Sequence, residues 1–144
     1  MSTTKRNKHV ELAYKLKQAQ HSLRNSMDET LKSLELTTPQ YAVLSQLETS
    51  PGISNAQLAR SSFVTAQTMH GIVLNLEKNN LVRRKRDLNH GRILCTELTK
   101  KGKRTIEVAH AHVYETQKLM TRTLSKKNIQ LFEEILNECI KNLQ

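Results

Sequence analysis

The sequence predicts a mainly α-helical chain with one small β-hairpin, and three observations carry that reading. Apolar residues recur at helical spacing along most of the 144 residues, two hydroxyl-capped helix starts follow one another mid-chain, and two extended runs joined by turn formers, with a basic tip, lie between residues 81 and 98. Only 37% of residues are hydrophobic and 3% aromatic, with no Trp, which suits one-sided helices. One domain is expected at this length, and a fold this thin is expected to complete its core with a second copy.

The elements follow in order. Residues 1 to 7 read as a short basic arm without fixed structure. From Lys8 to Glu35, Ala13, Leu16, Leu23, Met27, Leu31 and Leu34 form one stripe, a long first helix. Thr38-Pro39 opens a second, with Thr38 as the cap and Pro39 at the first position, where a missing N–H loses no partner. It runs through Tyr41, Leu44 and Leu47 to the breaker Ser50-Pro51-Gly52. Ser54 and Gln57 fit a capping box stapled by Ile53 and Leu58. Thr65 repeats the device with Val64 and Met69, and Met69, Ile72, Val73 and Leu76 give this helix its buried face.

A short helix, a tight connection through Ser61-Ser62-Phe63 and a longer helix make a helix-turn-helix. Asn79-Asn80 ends the second of the pair. Residues 81–86 and 92–98 then read as strands around Asp87-Leu88-Asn89-His90-Gly91, a hairpin with a basic tip, or wing. Thr99 caps a helix carrying Ile106, Ala109, Val113, Met120 and Leu124. Ser125 opens a last one with Ile129, Phe132, Ile135, Leu136, Cys139, Ile140 and Leu143.

Charge narrows the function. Lys and Arg number 23 against 13 Asp and Glu, a formal charge of +10. Residues 78–104 alone carry Lys78, Arg83, Arg84, Lys85, Arg86, Arg92, Lys100, Lys101, Lys103 and Arg104 against Asp87 and Glu97. Such focusing fits a polyanion, because each phosphate neutralised releases condensed counterions. From charge alone, a solvated basic face stands as the other reading.

Other classes find little support. Cys95 and Cys139 form no paired motif, so neither a disulfide framework nor a zinc knuckle is expected, and a reducing cytoplasm is the expected compartment. The start, MSTTKRNKHVE, lacks an apolar stretch and the longest apolar run is Tyr41 to Leu44, so neither a signal peptide nor a membrane span is expected. The histidines His9, His21, His70, His90, His110 and His112 show no metal-ligand spacing, since His110 and His112 face nearly opposite ways on a helix. No metal or cofactor is expected. With no phosphate-cradling glycine loop, nucleophile elbow or acid pair, enzyme activity is not expected either.

The order of elements and particular residues together resemble the MarR family of winged helix-turn-helix regulators across roughly residues 8–143. The carrying motifs are Leu36-Thr37-Thr38-Pro39-Gln40-Tyr41-Ala42-Val43-Leu44, Gln57-Leu58-Ala59, Leu76-Glu77-Lys78-Asn79-Asn80-Leu81-Val82-Arg83-Arg84, and Gly91-Arg92 leading into Leu98-Thr99-Lys100-Lys101-Gly102. The resemblance implies a homodimer built by the first, fifth and sixth helices, residues 8–35 and 99–143, with residues 36–98 as the DNA-binding lobe. It implies a sequence-specific transcriptional regulator, a repressor, on a palindromic operator with half-sites about 10 bp apart. Many members release DNA on binding a small aromatic or phenolic molecule. The alternative is a winged-helix protein-interaction module, against which the wing charge argues, since protein interfaces are depleted in Lys and lack such a one-sided basic stripe.

Burying Met69, Ile72, Val73 and Leu76 turns Gln67, Thr68, His70, Gly71 and Asn75 outward behind the cap Thr65. Gln pairs bidentately with adenine, Thr meets a thymine methyl, and His donates or accepts at a base edge. Outward polar residues occur on any surface helix, so the surrounding motif carries the weight. Gly71 departs from the family, which often has a large side chain there; close approach to DNA and packing of a neighbouring helix both account for it. In the wing, the resemblance places Arg92 in the minor groove and Arg84 and Arg86 at phosphates, with Asn89 and His90 in the loop. His90 stands where many members have an Asp, and it reads either as a phosphate neighbour or as an exposed turn residue. Leu23, Met27, Tyr41 and Val108 line a ligand pocket or belong to the core. Cys139 is expected in the core and Cys95 in a strand, and the amino-terminal cysteine of the family's peroxide sensors is absent.

Overall fold

A computed structural model describes residues 7–89, 91 and 93–144. Among them the chain forms α1 (Lys8–Leu31), α2 (Thr38–Thr49), β1 (Ile53–Ser54), α3 (Asn55–Ser61), α4 (Ala66–Lys78), β2 (Val82–Arg86), β3 (Leu94–Leu98), α5 (Lys100–Thr121) and α6 (Lys126–Asn142). Apart from β1, the order is the one the sequence predicts. The expected arm, residues 1 to 7, lies outside the described residues apart from Asn7, whose side chain caps α1 by accepting the His9 N–H at 3.0 Å.

Local chemistry moves several boundaries. The first helix stops at Leu31 rather than Glu35, passes through a 3₁₀ turn over Lys32–Leu34, and ends with Glu35 in the left-handed region at φ 55. The Leu36 N–H then reaches back to the Leu31 carbonyl at 3.2 Å, which turns Leu36 into the core. The cap of α2 is Thr37, one residue before the expected Thr38: Thr37 and Gln40 close the capping box. Thr38 instead donates its N–H and hydroxyl to Asp28 Oδ1 at 2.9 and 2.6 Å, tying α1 to the start of α2. Those donors hold the Asp28 carboxyl below the usual range. Ser54 and Gln57 form the expected capping box, but Thr65 carries only half of one. Its hydroxyl accepts the Thr68 N–H at 3.1 Å, and a Thr at that third position has no amide to reach back.

The wing is larger than a hairpin. β1 joins β3 on the side away from β2, giving the order β1-β3-β2 with all pairs antiparallel, Ile53 opposite Thr96 and Arg84 opposite Thr96 from the other edge. Two residues after Gly52, the second of them itself the cap of α3, escape a periodicity reading. The core gathers Leu31, Val43, Leu44, Leu47, Leu58, Met69, Val73, Leu76, Val82, Ile106 and Val113 between α1, α2, α4, α5 and one face of the sheet.

Two helical stretches stay outside that core. α6 has no buried residue although it carries Ile129, Phe132, Ile135, Leu136 and Ile140. The first half of α1 likewise exposes Leu12 and Leu16. An apolar groove of about 430 Å³ lies between them, lined by Leu12, Leu16, Phe132, Ile135, Leu136 and Cys139 among others. Cys139 is thus exposed in the single chain, not a core residue, because the face it shares has no partner within the chain. Among the described residues no helix is long and apolar enough to cross a membrane.

Candidate nucleic-acid interface

The two faces of α4 differ in kind. Met69, Val73 and Leu76 are buried and Ile72 is partly buried, while Thr65, Gln67, Thr68, His70, Gly71 and Asn75 are all exposed. The cap preorganises the leading end, since the Thr65 hydroxyl also donates to the Thr68 hydroxyl at 3.0 Å. Asn75 is already engaged: its Oδ1 accepts from Gln40 Nε2 at 2.7 Å and from Asn79 Nδ2 at 3.1 Å. It pins α4 to α2, which leaves its amide hydrogens rather than its oxygen for a ligand. A β-carbon on Gly71 would meet no heavy atom within 4 Å, so no neighbouring helix packs there and that explanation falls away.

The wing's cations are sorted by partner. Arg84 Nε and Nη2 donate to the two Glu77 carboxylate oxygens at 3.1 and 2.9 Å, with only 21% of the side chain exposed. The pair lowers the Glu77 carboxyl and raises the Arg84 guanidinium through those hydrogen bonds. Arg84 therefore clamps β2 to the end of α4, and phosphate reaches it only by competing with Glu77. On the other face of β2, Arg83 and Lys85 share Glu97, whose carboxyl both hold down. Arg86 is exposed with no partner among the described residues. The Asn89 N–H donates to Asp87 Oδ1 at 2.8 Å, an Asx turn that shapes the tip. His90 and Arg92 lie outside the described residues.

The four residues named for a ligand pocket do not gather around one cavity in the single chain. Met27 sits in the core, Leu23 and Tyr41 pack against it, and Val108 is 47% exposed. Leu23 lines an open recess of about 270 Å³ with Ala19, Ser22, Ser26, Thr116, Leu119 and Met120. Tyr41 has a different polar role, which sequence reasoning missed. Its hydroxyl is 2.9 Å from His110 Nδ1, and His110 Nε2 is 2.6 Å from Glu48, so α2 and α5 are joined by a three-residue chain. Burial and the Glu48 charge push the Tyr41 hydroxyl up. The available hint was weak: Tyr41 and Glu48 are seven apart, on one side of a helix. Burial and Asp87 likewise push the Cys95 thiol up, away from the reactive thiolate. Among the described residues, no three His, Cys, Asp or Glu side chains are grouped to hold a metal ion.

Comparison with known proteins agrees with this geometry. The MarR family profile matches residues 36–94. The HTH-type transcriptional repressor Rv2887 of Mycobacterium tuberculosis is 32% identical over 127 residues, covering 88% of this chain and 91% of that protein. The homoprotocatechuate degradative operon repressor of Escherichia coli is 25% identical over 92% of this chain and 89% of its own length. Among solved structures, Mycobacterium tuberculosis Rv2887 in complex with salicylic acid superposes with a TM-score of 0.72 at 31% identity, covering 89% of this chain and 95% of that one. A mutant MarR from Escherichia coli complexed with operator DNA gives 0.86 at 20% identity over 92% and 96%.

Proposed function

The chain belongs to the MarR family and is a DNA-binding transcriptional regulator, not an enzyme; from that premise we propose that it is a homodimeric repressor of a palindromic operator, released by a small aromatic acid or phenol. The observation that carries the reading is the exposed polar face of α4, backed by the buried Met69, Val73 and Leu76 and flanked by the basic wing. In this reading Thr65, Gln67, Thr68 and His70 meet base edges, Gly71 lets the helix come close, and Asn75 offers its amide. Arg86 and Asn89 meet phosphates, Arg92 enters the minor groove with His90 beside it, and Arg84 joins only through competition with Glu77.

Dimerisation is supported by the apolar faces of α1 and α6, which no described residue of the single chain buries. Leaving Phe132, Ile135 and Leu136 in water forfeits the burial that a second copy supplies. The inducer reading is supported by the salicylic acid bound to the Mycobacterium tuberculosis relative. Leu23 and Met27 stand on α1, Tyr41 on α2 and Val108 on α5, the helices through which a ligand would act on how the lobe sits against the dimerisation helices.

One set of measurements tests this. Selection from a random duplex library is expected to enrich a palindrome, sedimentation to give twice the 16.5 kDa chain mass, and millimolar salicylate to weaken the complex. A monomer, or binding blind to sequence, overturns the corresponding part.

A further inference from the structure

Phe63 sits in the turn between α3 and α4 with φ 56 and 96% of its surface exposed. The turn requires a left-handed residue: the Phe63 N–H donates to the Arg60 carbonyl at 3.3 Å and the Val64 N–H to the Ala59 carbonyl at 3.1 Å, the helix-ending arrangement that Gly or Asn fills with least strain. A phenylalanine there meets two penalties at once, a crowded backbone and a phenyl ring left in water. Among the described residues it is Val64, not Phe63, that packs against the core, so the exposure of the ring is not offset there. Two residues further on, Thr65 caps α4, and exposed Gln67 and Thr68 follow. Phe63 therefore stands two residues before the cap of the helix that the proposed function places in the groove.

We propose that Phe63 is a specificity-determining contact of the DNA surface, its ring lying against a thymine 5-methyl and the adjoining deoxyribose at one edge of each half-site. This rests on the DNA-binding reading of α4. The thymine methyl is the apolar group that the major groove displays, so an apolar side chain held at the groove edge distinguishes thymine from the other bases. The left-handed turn fixes the Phe63 backbone just ahead of α4, and exposed Arg60 in the last turn of α3 adds a cation three residues earlier.

The test uses duplexes that the full-length wild-type protein selects from a random library. Phe63→Asn keeps a residue tolerant of the left-handed turn and removes the ring; Phe63→Tyr keeps the ring. We expect Phe63→Asn to bind the selected duplex at least about fivefold more weakly with an unchanged or raised Tm, and Phe63→Tyr to stay within about twofold. Replacing thymines one at a time with deoxyuracil should weaken wild-type binding at one position per half-site and leave Phe63→Asn indifferent there. Equal binding by wild type and Phe63→Asn, or the same deoxyuracil sensitivity in both, overturns the contact while sparing the DNA-binding reading. Enrichment of no sequence by the wild type removes both.

Discussion

Gly102, in the first turn of α5, lies so close to the carbonyl of Leu81 that a β-carbon on it would overlap the oxygen and touch the Leu98 side chain. The approach is fixed from both sides: Thr99 donates its N–H to the Leu81 carbonyl at 3.1 Å and its hydroxyl accepts the Gly102 N–H at 3.0 Å. The backbone of α5 is thereby keyed to the first residues of the wing. Gly102→Ala must push these elements apart, and a loss of about 2 to 3 kcal/mol is expected in urea unfolding. A variant as stable as wild type would show that the junction yields freely.

Gly71 makes the opposite case. Its helical position and the open space around it mean that alanine costs nothing in the protein and gains helix propensity, so Gly71→Ala is expected to raise stability by about 1 kcal/mol. If the helix approaches base edges there, operator affinity falls in the same variant. Raised stability with unaltered affinity rejects the close approach.

The wing separates arginines by partner, and salt separates their roles. Arg86→Ala should lower the slope of log affinity against log salt by about 0.9 for each phosphate that the side chain no longer neutralises. Arg84→Ala should leave the slope nearly intact and lower stability instead, because it removes the clamp on Glu77. Arg92→Ala, at the side chain that the proposed function puts in the minor groove, is expected to weaken operator binding by more than about tenfold. Equal slopes for wild type and Arg86→Ala would remove that side chain from the interface.

What the sequence discloses and what it hides follow different physics. Helix starts were legible because capping is local: Ser54 with Gln57, Thr99 and Ser125 sit beside the N–H groups they accept. The order of elements and the inward face of α4 were legible because burial repeats with the helix period. Pairings across the fold were not. Whether Arg84 meets a phosphate or Glu77, and whether Asn75 reads a base or holds Gln40, depends on which strands and helices come together. The same holds for Thr38, whose oxygen fits a cap locally but goes to Asp28, ten residues earlier. Cys139 has the spacing of a core residue, and a periodic pattern does not say whether the core lies within one chain or between two.

Glu77, Glu97 and Asp28 all hold their carboxyls below the ordinary range, led by hydrogen bonds from Arg84, from Lys85 and Arg83, and from Thr38 respectively. A carboxylate whose native pKa lies below its unfolded value adds stability above the unfolded value, and that stability is lost as pH falls through the native one. The fold is therefore expected to hold its stability at neutral pH and to lose it on acidification below the ordinary carboxylate range, as these groups take up protons. Glu77→Gln removes one share of that dependence. Because the pair is partly open to solvent, the variant should be less stable than wild type by only about 0.5 to 1 kcal/mol at neutral pH, with the gap closing in acid. Urea unfolding at about pH 7 and about pH 4 measures the gap, and a constant gap for Glu77→Gln at both would show that its link to Arg84 carries no proton-dependent stability.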